Sequence, residues 1–290
     1  MSDHQVLVDG MFIAYRSQYA YKDLKTASGQ STGLVFGFIR SLIEIKKTWP
    51  NSKIIVCWDS KSTWRKELYE GYKAGRSSKR DWTQLKAAAE ACKHLGLDQA
   101  YASGQEADDV IGTLAQGEIP TTVYSRDKDF CQLVKNNVVD LYSPKSGQVP
   151  MCVYTEEQVQ TKFGVPASKV LMYRALRGDS SDNLPGLYRF PSKKIIQLVT
   201  QHSTIEDAVN NTQKVSLTPR EAKVLGEFSE QAKLNYTLMQ IQTDIDVQIN
   251  TGFFDKSRLF AILNQFQLSS LKSQVKVFDD PEEEMFGLLM

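Results

Sequence analysis

Three short apolar segments, Gln5–Val8, Lys53–Trp58 and Thr121–Ser125, each run out into an aspartate: Asp9, Asp59 and, two residues further on, Asp127. Each is β-branched or apolar and each is separated from the next by helix-like sequence. Leu34–Lys46 carries apolar residues at spacings of three and four, and Asp108–Ala115 reads the same way. Strand–helix alternation of this kind predicts an α/β fold with a mainly parallel central sheet flanked by helices. In such a sheet the carboxyl ends of the strands share one edge, where ligands bind. Acids from three strands are therefore expected to converge. A fourth acidic group, Glu106, Asp108 and Asp109, opens the helix-like run VIGTLA on the same strand-to-helix side. From about Ala167 onward no strand is read, and the short helical stretches there predict a second, mainly helical domain.

Taken singly, each acid has an ordinary explanation. An aspartate after a strand is a turn residue or helix N-cap, and Asp108 and Asp109 suit the first turn of a helix. Taken together they do not, because carboxylates sharing one cleft repel and need cations to stay ionised. Oxygen donors without histidine or cysteine select Mg²⁺ or Mn²⁺, and a pair of such ions is the usual device for phosphodiester hydrolysis. The chain has only three histidines, none near another, and four scattered cysteines without a C-x-x-C pair. Buried free thiols are expected, and zinc chemistry, disulfides and histidine catalysis are disfavoured. No secretory signal and no membrane span is read, which gives a cytoplasmic expectation. Net charge is +1, but five acids crowd into Asp279–Glu284, so the rest of the chain is basic enough to suit a polyanion.

At several places the residues become specific. WRKELYEGYKAGR (64–76), EADDVIGTLA (106–115), SRDKDFCQLV (125–134) and LRGDSSDNLPG (176–186) occur in order, between VLVDG near the start and LNYTLMQIQTDI (234–245). Together they resemble the 5′ nuclease family, which includes the 5′→3′ exonuclease domain of bacterial DNA polymerase I and the phage flap endonucleases. The resemblance implies a PIN-like nuclease core over residues 1–172 with a basic helical gateway at about 61–85. It further implies a helix–hairpin–helix DNA-binding domain over 173–275, leaving an acidic tail at 276–290. One Mg²⁺ (or Mn²⁺) would be held by Asp9, Asp59, Glu106, Asp108 and Asp109, and a second by Asp127, Asp129, Asp179 and Asp182.

Residues 61–80 hold seven basic side chains against two acids. In an arbitrary protein this would be a solvated charged helix. By the resemblance, Lys73 and Arg76 bind the reacting phosphate, Arg65 supports them and Tyr72 stacks on a base. The hairpin departs from the family pattern P-G-V-x-G-V-G-x-K, since Arg189 and Pro191 replace its later glycines in PGLYRFPSK. That counts against a backbone-amide grip on phosphate and against a K⁺ site there. Ser192 is expected to cap the following helix, with Lys193, Lys194 and Arg189 supplying charge for duplex phosphates. The implied activity is structure-selective 5′→3′ exonuclease and flap endonuclease hydrolysis of DNA, leaving 5′-phosphate and 3′-hydroxyl ends. Implied substrates are 5′ flaps, nicks, gaps and RNA–DNA primer junctions, met by a monomer beside a separate polymerase or clamp. The rival reading is a catalytically silent DNA-junction binding protein on the same fold.

Overall fold

The computed structural model describes residues 3–60, 64–75 and 81–279. In chain order the regular elements are β1 (Gln5–Asp9), α1 (Gly10–Ala20), α2 (Gly33–Thr48), β2 (Lys53–Cys57), α3 (Trp64–Leu68), α4 (Trp82–His94), β3 (Asp98–Tyr101), α5 (Ala107–Leu114) and β4 (Thr121–Tyr124). There follow β5 (Val139–Ser143), β6 (Cys152–Tyr154), α6 (Glu156–Phe163), α7 (Ala167–Arg177), α8 (Ser192–Gln201), α9 (Ile205–Asn210), α10 (Pro219–Glu227), α11 (Ser229–Met239), β7 (Gln248–Asn250) and α12 (Lys256–Gln265). They fall into two compact units, one built from 3–60, 81–125 and 244–279, the other from 64–75 and 126–243.

The first unit carries strands in the order β4-β1-β2-β3-β7. β1 pairs in parallel with β2 and β4, and β2 with β3, while β7 closes the edge antiparallel to β3. Val6, Leu7 and Val8 are wholly buried, as a central parallel strand covered on both faces requires. On α2 the run Leu34, Val35, Phe38, Ile39, Leu42 and Ile43 makes one buried stripe. Thr32 gives that helix no side-chain cap. Instead the buried Gln84 of α4 accepts hydrogen bonds from the Leu34 and Val35 amides at 3.0 and 3.3 Å, satisfying two donors that helix ends leave open.

The second unit is mainly helical, with β5 and β6 forming an antiparallel pair. α7 packs against α8 and α11, and a small core gathers Tyr72, Leu184, Leu238 and Met239.

The three strands and two helices read from the sequence are present to within two residues at each end. One expectation is corrected. β7 is a strand beyond Ala167, short enough and exposed enough to carry no alternating pattern. The compact units are discontinuous in sequence: the chain leaves the first at Ser125 and returns to it at Asp244. Within the expected gateway, α3 is a single short helix followed by turns through Gly75. Arg76, Lys61, Lys79, Arg80 and the tail from residue 280 lie outside the described residues. Among the described residues no helix is long and apolar enough to cross a membrane.

Candidate active site

In the first unit the acids come together through their loops. β1 ends on Asp9 directly beside the end of β2 at Cys57, and Asp59 follows two residues on. Asp9 is 7% exposed; its Oδ1 accepts from the Phe12 amide at 2.8 Å, capping α1, and its Oδ2 accepts from the Ser125 hydroxyl at 2.9 Å. The loop after β2 is laced to the loop before α5. Ser60 donates from its amide and its hydroxyl to the Gln105 carbonyl, each at 3.0 Å, and its hydroxyl accepts from the Gln105 amide at 3.1 Å. Asp59 Oδ1 then accepts from the Ala107 amide at 3.0 Å, at the first residue of α5. Asp59 is thereby fixed at the helix start that carries Glu106, Asp108 and the wholly buried Asp109, whose Oδ2 accepts from the Glu106 amide at 3.4 Å. Asp9, Asp59 and Asp109 thus act as caps at helix starts, the ordinary role such acids can fill. Burial, with Asp9 adding negative charge, pushes the Cys57 thiol far above its ordinary range and removes it as a nucleophile.

In the second unit the other four acids lie on two segments joined by an arginine. Asp127 Oδ1 accepts from the Asp129 amide at 2.8 Å. Asp129 Oδ1 receives Nε of Arg174 at 2.7 Å, and Asp179 Oδ2 receives Nη2 of the same guanidinium at 2.6 Å. Asp179 Oδ1 is taken by the Ser181 amide and hydroxyl at 2.8 and 2.7 Å. Burial, reinforced by Asp127, raises the Asp129 carboxyl to about 7 against the opposing pull of Arg174. Burial also pushes Asp179 upward, but the Ser181 hydroxyl and Arg174 outweigh it and hold that group below its usual range. Counting Arg174, the four carboxylates still leave three formal negative charges.

The segment expected to form a gateway meets the acidic loop here. The Lys73 amide donates to the Asp182 carbonyl at 3.0 Å, the Asn183 side chain donates to the Gly71 carbonyl at 3.0 Å, and Tyr69 donates to the Asn183 carbonyl at 3.4 Å. Lys73 thus stands at the second acidic group, its Nζ 4.8 Å from the centre of the Tyr72 ring. Three expectations fail in the same region. Tyr72 is 4% exposed and packed into the small core, so it is not available to stack on a base. Arg65 is 2% exposed, with Nε and Nη2 each donating at 3.0 Å to the Leu238 and Gln240 carbonyls; it anchors α3 rather than meeting phosphate. Ser192 is the first residue of α8, whose N-cap is Pro191, and no side chain caps it.

Lys193 and Arg189 are exposed, whereas Lys194 donates to the Ser216 carbonyl. Arg189, standing where the family pattern has glycine, adopts φ of +52°, the left-handed region glycine favours. The hairpin keeps the turn and forces the larger residue into it. Arg126 forms no ion pair with a described acid. Sequence reasoning missed Arg174, which nothing marks out in YRALRGD, and Asn235, wholly buried, which donates to the Ala175 and Pro185 carbonyls at 2.9 and 2.7 Å.

Among the described residues no three His, Cys, Asp or Glu side chains are arranged as they stand to hold a metal ion. Asp9, Asp59, Asp109, Asp127, Asp129 and Asp179 accept hydrogen bonds from protein donors instead. The donor set nevertheless fits a hard divalent cation: it is all carboxylate oxygen, and its charge exceeds what Arg174 offsets.

Fold and donor chemistry define a class, an α/β protein with carboxylates at the carboxyl edge of a parallel sheet. Solved structures share the fold. Zinc-bound T5 5′-exonuclease matches at a TM-score of 0.67 and 17% identity, covering 95% of this chain and all of that one. The catalytic core of Rad2 in complex with DNA matches at 0.60 and 13%, covering 95% and 91%. The sequence matches the 5′-3′ exonuclease N-terminal resolvase-like domain over residues 4–164 and the 5′-3′ exonuclease C-terminal SAM fold over 165–258. It is 34% identical to a 5′-3′ exonuclease of Buchnera aphidicola from Acyrthosiphon pisum, over 84% of this chain and 88% of the relative. With one from Aquifex aeolicus the identity is 32%, over 94% and 95%. The thermostable DNA polymerase I of Thermus filiformis is 32% identical over 96% of this chain but only 34% of the polymerase. The chain belongs to the 5′-3′ exonuclease family. It is a nuclease.

Proposed function

We propose that this chain is a divalent-metal-dependent 5′ nuclease that cuts DNA at 5′ flaps, nicks, gaps and recessed 5′ ends, leaving 5′-phosphate and 3′-hydroxyl products. The observation that carries the reading is the lacing of Asp59 to the acidic start of α5 beside the Asp9-bearing end of β1. A helix start is capped by one or two carboxylates, whereas Asp9, Asp59, Glu106, Asp108 and Asp109 make five along these adjoining segments. In this reading Asp9, Asp59, Glu106, Asp108 and Asp109 hold one Mg²⁺ (Mn²⁺ substituting), and Asp127, Asp129, Asp179 and Asp182 hold a second. When bound, the ions supply Lewis acidity toward the phosphate and the alkoxide that leaves it.

The chain's own groups do the rest. Lys73, joined through its amide to Asp182, offers an ammonium for the non-bridging phosphate oxygens where negative charge grows. Arg76 is assigned the same role from the sequence alone. Arg189, Lys193 and the exposed Tyr188, whose ring carries the Arg189 guanidinium at 5.0 Å, form the contact for duplex phosphates. The solved relatives named for metal ions and for DNA complexes support this reading by analogy.

The test is Asp127→Ala combined with Asp129→Ala, assayed on a 5′-labelled flap in Mg²⁺. Cleavage should fall at least about a thousandfold while flap binding, measured in Ca²⁺ by anisotropy, is largely kept. Unchanged turnover would remove those two residues from the site. A wild-type chain that binds flap DNA without ever cutting it would favour a silent junction-binding protein.

A further inference from the structure

We propose that Arg174 is the resident cation of the second acidic group, a positioning residue that holds Asp129 and Asp179 together and must yield those oxygens to a divalent ion. The inference rests on the metal assignment above. Its physical basis is which oxygens are engaged. Asp179 Oδ1 is saturated by the Ser181 amide and hydroxyl, which leaves Oδ2 as the oxygen open to a cation, and Oδ2 is the one Arg174 takes at 2.6 Å. Arg174 takes Asp129 Oδ1 at 2.7 Å with Nε. Nε and Nη2 form one edge of the guanidinium, so both carboxylates close on the same edge.

A divalent cation held by Asp129 and Asp179 would need carboxylate oxygens that the Arg174 donors now occupy. It would also face a fixed positive charge within a few ångströms. Ion and guanidinium therefore compete.

The backbone does not depend on Arg174. Asp179 is pinned by reciprocal amide–carbonyl bonds with Leu184, both at 2.8 Å, and Asp129 by its amide bond to Asp127. Removing the guanidinium should leave the carboxylates in place but uncompensated. Arg174 itself is only 19% exposed along its side chain, so water replaces it poorly.

The experiment is calorimetric titration of Mn²⁺ into the full DNA-free chain, with thermal melts in EDTA and in Mn²⁺. Arg174→Met should bind Mn²⁺ at its tightened site about tenfold or more tightly than wild type. It should melt lower in EDTA and recover most of the loss when Mn²⁺ is added. Arg174→Lys, which keeps the charge but spans one carboxylate, should lie between. In Arg174→Met with Asp129→Asn the gain should vanish. Mn²⁺ affinity that is unchanged or weaker in Arg174→Met, or a melting loss that Mn²⁺ does not restore, would overturn the proposal. If neither wild type nor variant binds Mn²⁺, the metal assignment fails first and takes this inference with it. Should Arg174→Met not fold, Arg174→Gln carries the same comparison.

Discussion

Arg189 bears a conflict visible at a single residue. Its φ of +52° places a Cβ-bearing residue where glycine is at ease, a conformation costing roughly 1–2 kcal/mol for an L-residue. Its exposed guanidinium lies over the Tyr188 ring. Arg189→Gly should therefore raise stability by up to about 1 kcal/mol in urea titration, the remainder being offset by the greater freedom of glycine in the unfolded chain. The same substitution should weaken flap binding and lower the salt slope by about one phosphate contact. A loss of stability would show that the turn depends on the arginine. The sequence made the substitution legible, because two glycines are missing from a known pattern, but not its outcome. Only the backbone reveals that the turn survived. Tyr72 and Arg65 illustrate the opposite failure. A basic, aromatic-containing segment carries no mark of which side chains turn inward, and these two turned into the Leu184–Leu238 core and onto the carbonyls of the α11 end.

Among the elements, the loop from Gly178 to Leu187 positions Asp179 and Asp182 and is pinched on both sides. Gly178 has φ of +73° with ψ of 174°, a region essentially closed to other residues. A Cβ there would meet the Gly186 amide nitrogen at 2.4 Å and the Leu184 carbonyl at 2.6 Å. Gly178→Ala should cost about 3 kcal/mol, read by chemical denaturation. It should also abolish Mg²⁺-dependent cleavage in the fraction that still folds, because Asp179 is displaced. Near-wild-type stability would mean that the loop relaxes around the methyl. The four acids of this region were legible through the family resemblance of SRDKDFCQLV and LRGDSSDNLPG, not through spacing alone. Arg174, which pairs two of them, and Asn235, which braces the loop, were not, since both sit in helices that carry no distinctive sequence mark. What singles them out is burial: a guanidinium between two carboxylates, and an amide bridging two carbonyls that would otherwise be orphaned.

Over the whole chain, alternation of short apolar strands with helices was enough to give the parallel sheet and the edge where Asp9 and Asp59 lie. It carries no mark of how the two compact units share the chain. The boundary expected at 172/173 falls inside α7, Ala167–Arg177, the helix that carries Arg174 and packs on α8 and α11. The first unit, for its part, needs the segment that returns at Asp244. β7 supplies the antiparallel edge for β3, and Leu259, Leu263 and Phe266 from α12 and its end are at most 1% exposed. Local pattern cannot show such a return, because a three-residue exposed strand and one amphipathic helix look alike in either unit. A fragment of residues 1–172 should therefore fail to fold as an independent nuclease core. It loses the α12 side chains that cover α4, and burying each large apolar residue of this kind is worth roughly 1.5–3 kcal/mol. Against a net stability of about 5–15 kcal/mol for a domain, losing three of them is decisive. Circular dichroism of the purified fragment should show no cooperative melt, and its amide protons should exchange without protection in β1 and β2. A cooperative transition in 1–172 would show that the first unit closes without the returning segment.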